Sequence, residues 1–187
     1  MKMHDETTRR EWQGPEEILG FLGLEPGHVV VDMGAGSGFF ALPASRRVGP
    51  RGTVYAVDTS VERLTRLHER AEDEGLENIR IRANAVEDYA VCEGCADLVL
   101  ISNSLHDFHD QETALRHAFT SLKPGGLLAD LDWKKEETIR DGDLIGPPVE
   151  IRFSEDEAVE LIGGAGFEVE SVEPSGEYFY LVRARRP

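Results

Sequence analysis

The fold of this chain is decided by the stretch VVDMGAGSG, which occupies residues 30–38. An apolar run, typical of a buried strand, leads there into glycines at positions 34, 36 and 38. A second apolar run, at residues 55–57, ends at Asp58. Glycine lets the backbone turn sharply and approach a ligand, and an acid after the second strand of such a unit binds ribose hydroxyls. The pattern therefore predicts a parallel α/β sheet that binds a nucleoside.

The glycine spacing favours S-adenosylmethionine (SAM) over a nicotinamide dinucleotide. The dinucleotide fingerprint G-x-G-x-x-G would need glycine at position 39, where this chain has Phe39. The Tyr-x-x-x-Lys pattern of a nicotinamide oxidoreductase is also absent from the sequence. An oxidoreductase is therefore the less favoured interpretation.

The composition indicates a single globular domain over residues 1–187. The 20 basic and 36 acidic residues give a net charge of −16, which repels phosphate backbones, so we expect no nucleic-acid partner. Residues 1–17 lack the apolar core of a signal peptide. The longest apolar runs, such as residues 96–101, are too short to cross a membrane. The expected location is cytoplasmic, without membrane association.

Predicted helices and strands alternate, which is typical of a doubly wound parallel sheet. Strands are predicted at residues 28–33, 53–57, 79–83, 96–102, 127–131, 167–172 and 178–184. No convincing helix separates the last two strands, so they are predicted to form an antiparallel hairpin. The polar residues 1–13 are expected to form a mobile arm, and residues 133–149 an irregular loop on the substrate side.

The two cysteines, Cys92 and Cys95, form a single C-x-x-C pair. One such pair supplies half of a tetrahedral zinc site, and it precedes a predicted strand, whereas a thioredoxin-like motif opens a helix. We interpret the two as incidental loop cysteines, with a redox role or a shared metal as the alternative.

The chain resembles the class I SAM-dependent methyltransferases, in particular the small-molecule branch that includes the ubiquinone and menaquinone C-methyltransferases. The resemblance covers residues 12–184 and rests on motifs at residues 30–38, 55–58, 81–88, 97–107 and 122–126. It implies a Rossmann-like sheet of seven mostly parallel strands in the order 3-2-1-4-5-7-6, with strand 7 antiparallel. It also implies SAM as cofactor and S-adenosylhomocysteine as product.

The resemblance assigns cofactor contacts to residues around these motifs. Asp58 would accept both ribose hydroxyls. Asp32 would orient the glycine loop and hold the amino group of the ligand through water, or would alternatively cap loop amides. The helix after the loop would direct its amino terminus at the methionine carboxylate.

The adenine side departs from the family. Relatives often carry an aspartate after strand three, where this chain has Asn84, with Asp88 as a second candidate. Thr59 and Ser60 follow Asp58 where the family packs a residue against adenine, although Ser60 could instead cap the next helix. The complete set of candidate cofactor-binding residues is Asp32, Gly34, Ala35, Gly36, Gly38, Asp58, Thr59, Asn84, Ala85 and Asn103.

The acceptor side is expected at residues 103–110, which leave strand four at the carboxyl edge of the sheet. Relatives often carry a histidine near the start of this segment, so His106 is the first candidate for a general base or acceptor contact and His109 the second. A polar loop whose Asp110 caps the next helix is the alternative. Trp12 and Trp133 are expected to border the acceptor pocket together with the 133–149 loop.

No metal is predicted. The side chains of His106, Asp107, His109 and Asp110 suit zinc or iron. A metal site usually takes ligands from separate elements, however, and only His4 and Asp5 could join this cluster, if the arm closed over it.

The function predicted from the resemblance is methyl transfer to an unidentified small molecule, on oxygen, nitrogen or carbon. Arsenic methylation is disfavoured because that activity normally requires several dispersed thiols, and this chain has two cysteines. The alternative is a SAM-binding protein without transferase activity, acting as a sensor or assembly partner. The oligomeric state stays open.

Overall fold

Helices and strands alternate along residues 6–187, the part of the chain that this computed structural model describes. Its helices are α1 (Glu6–Trp12), α2 (Pro15–Phe21), α3 (Ala41–Val48), α4 (Val61–Asp73), α5 (Gln111–Ser121) and α6 (Glu155–Gly164). Its strands are β1 (Val29–Met33), β2 (Thr53–Asp58), β3 (Ile79–Ala83), β4 (Ala96–Ser102), β5 (Leu122–Trp133), β6 (Ile139–Arg140), β7 (Asp143–Leu144), β8 (Glu168–Ser175) and β9 (Phe179–Arg185). His4 and Asp5, with the role suggested for them beside the histidines, lie outside the described residues.

Seven of these strands form one sheet in the order β3-β2-β1-β4-β5-β9-β8. Strands β1 to β5 pair in parallel, whereas β9 is antiparallel to both β5 and β8. The short strands β6 and β7 pair with each other in a separate hairpin, so β8 and β9 are the predicted strands six and seven. The predicted strand order and the antiparallel final strand are confirmed.

Helices cover both faces of the sheet, and each face has its own apolar core. Helices α2, α3 and α4 pack on one face through residues such as Leu19, Leu42 and Leu67. Helices α5 and α6 pack on the other through residues such as Leu115 and Ile162. Within residues 6–187, no helix is long and apolar enough to span a membrane. The carboxyl ends of β1 to β4 lie side by side at one edge, which is where open α/β sheets bind ligands.

The amino-terminal segment is more ordered than its polar sequence predicts. Residues 6–12 form α1 where the sequence indicates a mobile arm. The carboxylate of Glu6 accepts hydrogen bonds from both terminal nitrogens of Arg70 in α4, at 2.8 and 2.9 Å. At the other end of α1, the Trp12 ring meets the Trp133 and Tyr178 rings edge-on, with centroids 6.3 and 5.3 Å away. Contacts with distant parts of the chain therefore fix α1, and its own sequence does not reveal them.

The segment after β5 is also less irregular than predicted. Residues 139–144 form the β6–β7 hairpin. The buried guanidinium of Arg152 holds the segment together with six hydrogen bonds. Its acceptors are the carbonyl oxygens of Lys134, Glu136, Ile145 and Pro147 and the hydroxyl of Thr138. One side chain thus replaces the regular backbone pairing that this segment lacks.

Cys92 and Cys95 are joined in a disulfide. The interpretation as incidental loop thiols is therefore wrong, and a shared metal site is excluded while the sulfurs are bonded to each other. The turn between the two residues brings their Cα atoms to 6.0 Å, a separation at which a disulfide can form. The loop precedes β4, at the edge of the sheet opposite the carboxyl ends, and its Gly94 and Cys95 amides donate to carbonyls at the end of α5.

Candidate functional site

A cavity of about 550 Å³ opens at the carboxyl edge of the sheet. Most of the predicted cofactor-binding residues line it, namely Gly34, Ala35, Gly36, Asp58, Thr59, Asn84, Ala85 and Asn103. The other two, Asp32 and Gly38, are buried and are not among the described residues that form its wall. The structure therefore brings residues from the ends of β1, β2, β3 and β4 to one site.

Asp58 connects the ends of β1 and β2. Its Oδ2 accepts a hydrogen bond from the Gly36 amide at 2.8 Å, and its Oδ1 accepts one from the Ser60 amide at 2.8 Å. A carboxylate has about four lone-pair sites, so Asp58 keeps acceptor capacity for ribose hydroxyls. The acid fixes the glycine loop in addition to the ligand contact that the sequence predicts.

Gly34 shows why the loop requires glycine. Its φ is +82°, and a Cβ at this position would lie 2.6 Å from the Cβ of Ser104. The Gly34 and Ala35 amides both donate to the carbonyl oxygen of Val57, at 2.8 and 3.0 Å. The loop is therefore held between the end of β2 and the segment after β4, with no room for a side chain at its first glycine.

Both candidates for adenine recognition lie at the end of β3. The Oδ1 of Asn84 accepts a hydrogen bond from the Tyr89 hydroxyl at 3.0 Å, and Asp88 accepts one from the Ala85 amide at 3.0 Å. Asn84 and Asp88 both line the cavity, as does Thr59. The hydroxyl of Ser60 instead accepts from the Arg63 amide at 3.3 Å and caps α4, as its alternative interpretation predicts.

Asp32 and Arg9 are two desolvated charged groups near the glycine loop. Burial raises the pKa of Asp32 to about 7, although the Arg9 charge opposes this rise. Within residues 6–187 its Oδ2 atom has no hydrogen-bond partner. Arg9 lines the cavity, and burial lowers its pKa to about 10. Its guanidinium donates to the Ser102 hydroxyl at 3.0 Å and lies over the Phe39 ring, 3.9 Å from the centroid.

Gln13 brings the end of the amino-terminal segment into the site. Its fully buried side-chain amide pairs with that of Asn103, with contacts of 3.1 and 3.2 Å. Asn103 has a φ of 52°, which turns the chain sharply after β4. Sequence reasoning missed Arg9 and Gln13, because a polar segment gives no periodic signal of a buried contact. The one available signal was their separation of four residues, which places both side chains on one face of a helix.

His106 is turned away from the cavity. Its side chain is 3% exposed, and its Nδ1 lies 2.9 Å from both carboxylate oxygens of Asp132 in β5. Burial lowers the pKa of His106, but the hydrogen bond and charge of Asp132 outweigh burial and raise it overall. Among the described residues, Asp107 lines the cavity and His106 does not.

His109 is the histidine of this segment that lines the cavity. Its backbone amide donates to Glu87 Oε1 at 2.7 Å, and the Asp110 amide donates to the same oxygen at 3.3 Å. Asp110 caps α5, because its Oδ1 accepts from the Thr113 amide at 2.9 Å. Within residues 106–110, His106 thus contacts β5, whereas Asp107 and His109 line the cavity. In residues 6–187, no group of three or more His, Cys, Asp or Glu could hold a metal ion.

Trp12 and Trp133 pack against each other, and neither lines the cavity in the described chain. Residues 133–149 are likewise outside its wall and contact α1 instead. Arg140 lies 3.5 Å from Glu11 and stands over the Trp12 ring, 4.9 Å from the centroid. The segment therefore braces α1, and α1 in turn supplies a wall of the cavity through Arg9.

The donor and acceptor groups of the cavity fit SAM. Asp58 offers carboxylate acceptors for ribose hydroxyls, and Asn84 and Asp88 offer polar atoms for an adenine. The open glycine loop supplies a backbone surface between them and β4. Asp32 lies outside this wall, and within residues 6–187 its buried Oδ2 has no hydrogen-bond partner. The residues that line the cavity therefore fit the ribose and the adenine of this cofactor.

Comparison with known proteins agrees with this geometry. A family model described as a methyltransferase domain matches residues 30–126. A SAM-dependent methyltransferase from Aquifex aeolicus has a similar structure, with a TM-score of 0.88 and 32% sequence identity over 96% of this chain and 93% of that chain.

Two curated relatives show the same relationship at the level of sequence. An arsenite methyltransferase from Halobacterium salinarum is 25% identical over 84% of this chain and 41% of its own length. A ubiquinone/menaquinone biosynthesis C-methyltransferase from Pasteurella multocida is 36% identical over 60% of this chain and 42% of its own length. The chain thus spans about two fifths of the length of these relatives. On its matched domain, its strand order and its glycine loop, this chain belongs to the class I SAM-dependent methyltransferases.

Proposed function

We propose that this protein transfers the methyl group of SAM to a small-molecule acceptor and releases S-adenosylhomocysteine. The observation that carries the proposal is the single cavity wall in which the glycine loop and the Asp58 carboxylate meet. The family supports SAM as the cofactor. The named activities of the relatives, on arsenite and in quinone biosynthesis, both support a small acceptor.

We retain most of the cofactor contacts proposed from the sequence. Asp58 binds the ribose hydroxyls, the Ala35 and Gly36 backbone faces the ligand, and Asn84 or Asp88 accepts from the adenine amino group. Asp32 holds the cofactor ammonium through water, a role that its buried Oδ2, without a hydrogen-bond partner within residues 6–187, supports. Gly38 contributes by packing the loop against α4 rather than by contact with the ligand.

When bound, SAM supplies an electrophilic methyl group attached to a positively charged sulfur. Because that charge disappears as the methyl leaves, the protein needs mainly to align the acceptor with the methyl group and to exclude water. Arg9, Asn103 and Ser104 surround the side of the cavity next to β4 and provide this alignment. A base is needed only for an acceptor that must lose a proton.

For such an acceptor, we propose that an imidazole nitrogen of His109 takes the proton. His109 lines the cavity, whereas His106 is bonded to Asp132 and shielded. The initial expectation that His106 is the base stays a prediction, and kinetics distinguish the two. His109→Gln should lower kcat about 100-fold, the usual scale for a general base. His106→Gln should change the thermal stability and leave the acid limb of the pH–rate profile nearly unchanged.

The acceptor is not expected to be arsenite. Both cysteines of the chain are joined to each other, at the edge of the sheet opposite the cavity. The proposed acceptor class is therefore an organic small molecule. We also propose a cytoplasmic location, which fractionation of cells and detection of the protein in the cytoplasmic fraction would test.

Calorimetric titration with S-adenosylhomocysteine tests the cofactor proposal. Asp58→Asn should weaken binding by about 1–3 kcal/mol, the scale of lost charged hydrogen bonds. Asn is preferred to Ala because its amide oxygen can still accept from the Gly36 amide, and only the acceptor for the Ser60 amide is lost. Asp73→Asn, at the exposed end of α4, is the matched control and should bind like the wild type.

Absence of binding to folded wild-type protein would overturn the proposed function. Binding without any acceptor-dependent S-adenosylhomocysteine release, across oxygen, nitrogen and carbon nucleophiles, would favour the alternative of a SAM-binding protein without transferase activity.

A further inference from the structure

The segment between β3 and β4, residues 84–95, connects the cavity to the disulfide. Its first part, residues 84–88, lines the cavity beside the end of β3. Its last part, residues 92–95, forms the ring that the bond between Cys92 and Cys95 closes. None of these described residues belongs to a helix or a strand, so contacts with the rest of the protein fix the segment. A chemical change at the disulfide therefore acts on the same piece of chain that borders the ligand site.

Helix α5 and the residues before it hold the segment near the cavity. The Glu87 carboxylate accepts hydrogen bonds from the amides of His109 and Asp110, immediately before α5, at 2.7 and 3.3 Å. Within the helix, His117 Nδ1 donates to the Val86 carbonyl oxygen at 2.9 Å. Val86 and Glu87 both line the cavity, so this part of its wall depends on α5.

The other end of α5 holds the disulfide ring. The Gly94 amide donates to the Thr120 carbonyl oxygen at 2.9 Å, and the Cys95 amide donates to the Ser121 carbonyl oxygen at 3.0 Å. The Cys92 sulfur lies 3.6 Å from the same Ser121 oxygen, to which a thiol at this position would donate. None of these contacts needs the bond between the sulfurs, so a reduced pair would stay close enough to form it again.

The disulfide has the features of a bond that opens and closes. Two residues separate the cysteines, and the chain entropy that a crosslink removes from the unfolded state is smallest for short loops. It therefore adds little to a sheet that already has an apolar core on each face. Both cysteines are half-buried, so part of the disulfide can be reached by an attacking thiolate.

We propose that Cys92 and Cys95 form a reversible dithiol–disulfide site whose state sets the affinity of the cavity for the cofactor. The reactant is a thiol reductant. Its thiolate attacks one sulfur, the bond between the sulfurs breaks, and the released thiolate takes up a proton. A second thiol of the reductant then frees the protein from the mixed disulfide. The protein gains two electrons and two protons, and the reductant is oxidised to a disulfide.

The effect on the cavity follows from the loss of one constraint on residues 84–95. In the reduced protein without ligand, the segment has more conformations, and binding has to order it again, which lowers affinity. We expect S-adenosylhomocysteine to bind the reduced protein about fivefold more weakly, at the lower end of the usual coupling between two sites. This inference rests on the proposed function, because the cofactor is the ligand that is coupled to the disulfide.

Two measurements test the coupling in both directions. Calorimetry compares S-adenosylhomocysteine binding to the oxidised protein and to protein reduced with dithiothreitol. Thiol counting, by acid quenching and alkylation, follows the disulfide in glutathione buffers with and without saturating S-adenosylhomocysteine. Because coupling is reciprocal, the ligand should raise by the same factor the ratio of squared reduced to oxidised glutathione at half reduction. Hydrogen exchange at residues 84–88 should be faster in the reduced protein.

Matched variants separate the pair from other effects of a reductant. Cys92→Ser combined with Cys95→Ser should bind S-adenosylhomocysteine like the reduced wild type and should not respond to dithiothreitol. Glu93→Gln, an exposed position inside the same ring, should retain the full response. A response to dithiothreitol in the double variant would arise elsewhere in the protein and would overturn the inference.

A disulfide that stays closed in the folded protein at every glutathione ratio would be a structural bond, and this result would overturn the inference. Equal affinity of the oxidised and reduced proteins for S-adenosylhomocysteine would overturn it as well. In both cases the proposed function would stand, because the oxidised protein would still bind the ligand. If the folded protein bound S-adenosylhomocysteine in neither state, the proposed function itself would fail, and the coupling with it.

Discussion

The cavity has two sides that are built by different means. The cofactor wall, which we define as residues 34–39, 58–59 and 84–88, is held mostly by hydrogen bonds to backbone amides, such as those from Gly36 and Ser60 to Asp58. The cover, which we define as α1 with its brace at residues 133–152, is held by long side chains from distant parts of the chain. Arg152, Arg140 and Arg70 make most of these attachments.

The difference shows which side is fixed by local chemistry and which can change between relatives. A loop held through its backbone needs glycine and an acid at set positions, so it leaves a motif in the sequence. A cover held through side chains needs only partners of opposite polarity somewhere else in the chain. We therefore expect the cofactor wall to be preformed and the cover to carry the adjustable features of the site.

The largest expected effect comes from breaking the brace of the cover. Arg152→Met removes six hydrogen bonds and leaves buried carbonyl oxygens without donors. We expect the free energy of unfolding to fall by about 2–4 kcal/mol in chemical denaturation. Arg140→Met, which removes a more exposed guanidinium from the same segment, is the control and should cost less than about 1 kcal/mol. Similar losses for the two variants would mean that the brace does not depend on Arg152.

Gly34→Ala tests the cofactor wall. The new Cβ would meet Ser104, and the residue would stay at a φ of +82°. We expect a loss of about 1–3 kcal/mol in stability, together with weaker S-adenosylhomocysteine binding. Gly49→Ala is the matched control, because Gly49 has a φ of +65° but nothing within 4 Å of its Cβ position. Equal losses in the two variants would attribute the effect to backbone strain alone.

Proton release on cofactor binding tests the junction between the two sides. Burial raises the pKa of Asp32 to about 7 in the folded protein. Between about pH 4 and pH 7, Asp32 is therefore protonated in the folded protein without ligand but ionised in the unfolded chain. Asp32 therefore contributes less to stability as the pH rises through that range. A cofactor ammonium favours the carboxylate, so binding at pH 7 should release about half a proton and strengthen as the pH rises.

Titrations at pH 7 in buffers of different ionisation enthalpy measure this release. Asp32→Asn should abolish it, whereas Asp88→Asn should retain it, because Asp88 lies at the end of β3, on the adenine side of the cavity. Proton uptake by the wild type would contradict an ammonium contact at Asp32.

The smallest expected effect on stability comes from Glu6→Gln, which weakens the attachment of the cover. The Glu6–Arg70 pair is about one-third exposed, so its loss should cost less than about 1 kcal/mol. Hydrogen exchange at residues 6–13 should nevertheless become faster, because α1 opens more often. Glu62→Gln breaks the exposed pair with Arg66 away from the cavity and should leave that exchange unchanged. Unchanged exchange in Glu6→Gln would show that the aromatic contacts of Trp12 hold α1 by themselves.

The same contrast explains how far the sequence predicts the structure. The strand order follows from the family resemblance, and the positions of Gly34, Gly36 and Asp58 follow from a local motif. The structure places these three residues together. The role of Arg9 could not be predicted, because its partners Ser102 and Phe39 are remote in the sequence and nothing in a polar segment marks a charged group that becomes desolvated.

The histidines show a further limit of sequence reasoning. The pattern at residues 106–110 does not determine which side chain turns inward. The carboxylate of Asp132, on another strand, pairs with the His106 side chain, whereas His109 lines the cavity. The disulfide was missed for a similar reason, since the closeness of Cys92 and Cys95 depends on the turn between them and not on their spacing alone.

The order β5-β9-β8 also bears on how the chain folds. Strands β8 and β9 are neighbours in the sequence, so their hairpin can form from local contacts. The pairing of β9 with β5 instead closes a loop that contains β6, β7, α6 and β8, and such non-local closure is slow. We expect the hairpin to form first and to dock onto β5 as a unit, so that pulsed hydrogen exchange during refolding protects the β9 amides that face β8 before those that face β5. On this route, the side of the sheet that binds the cofactor can assemble while its far edge is still incomplete.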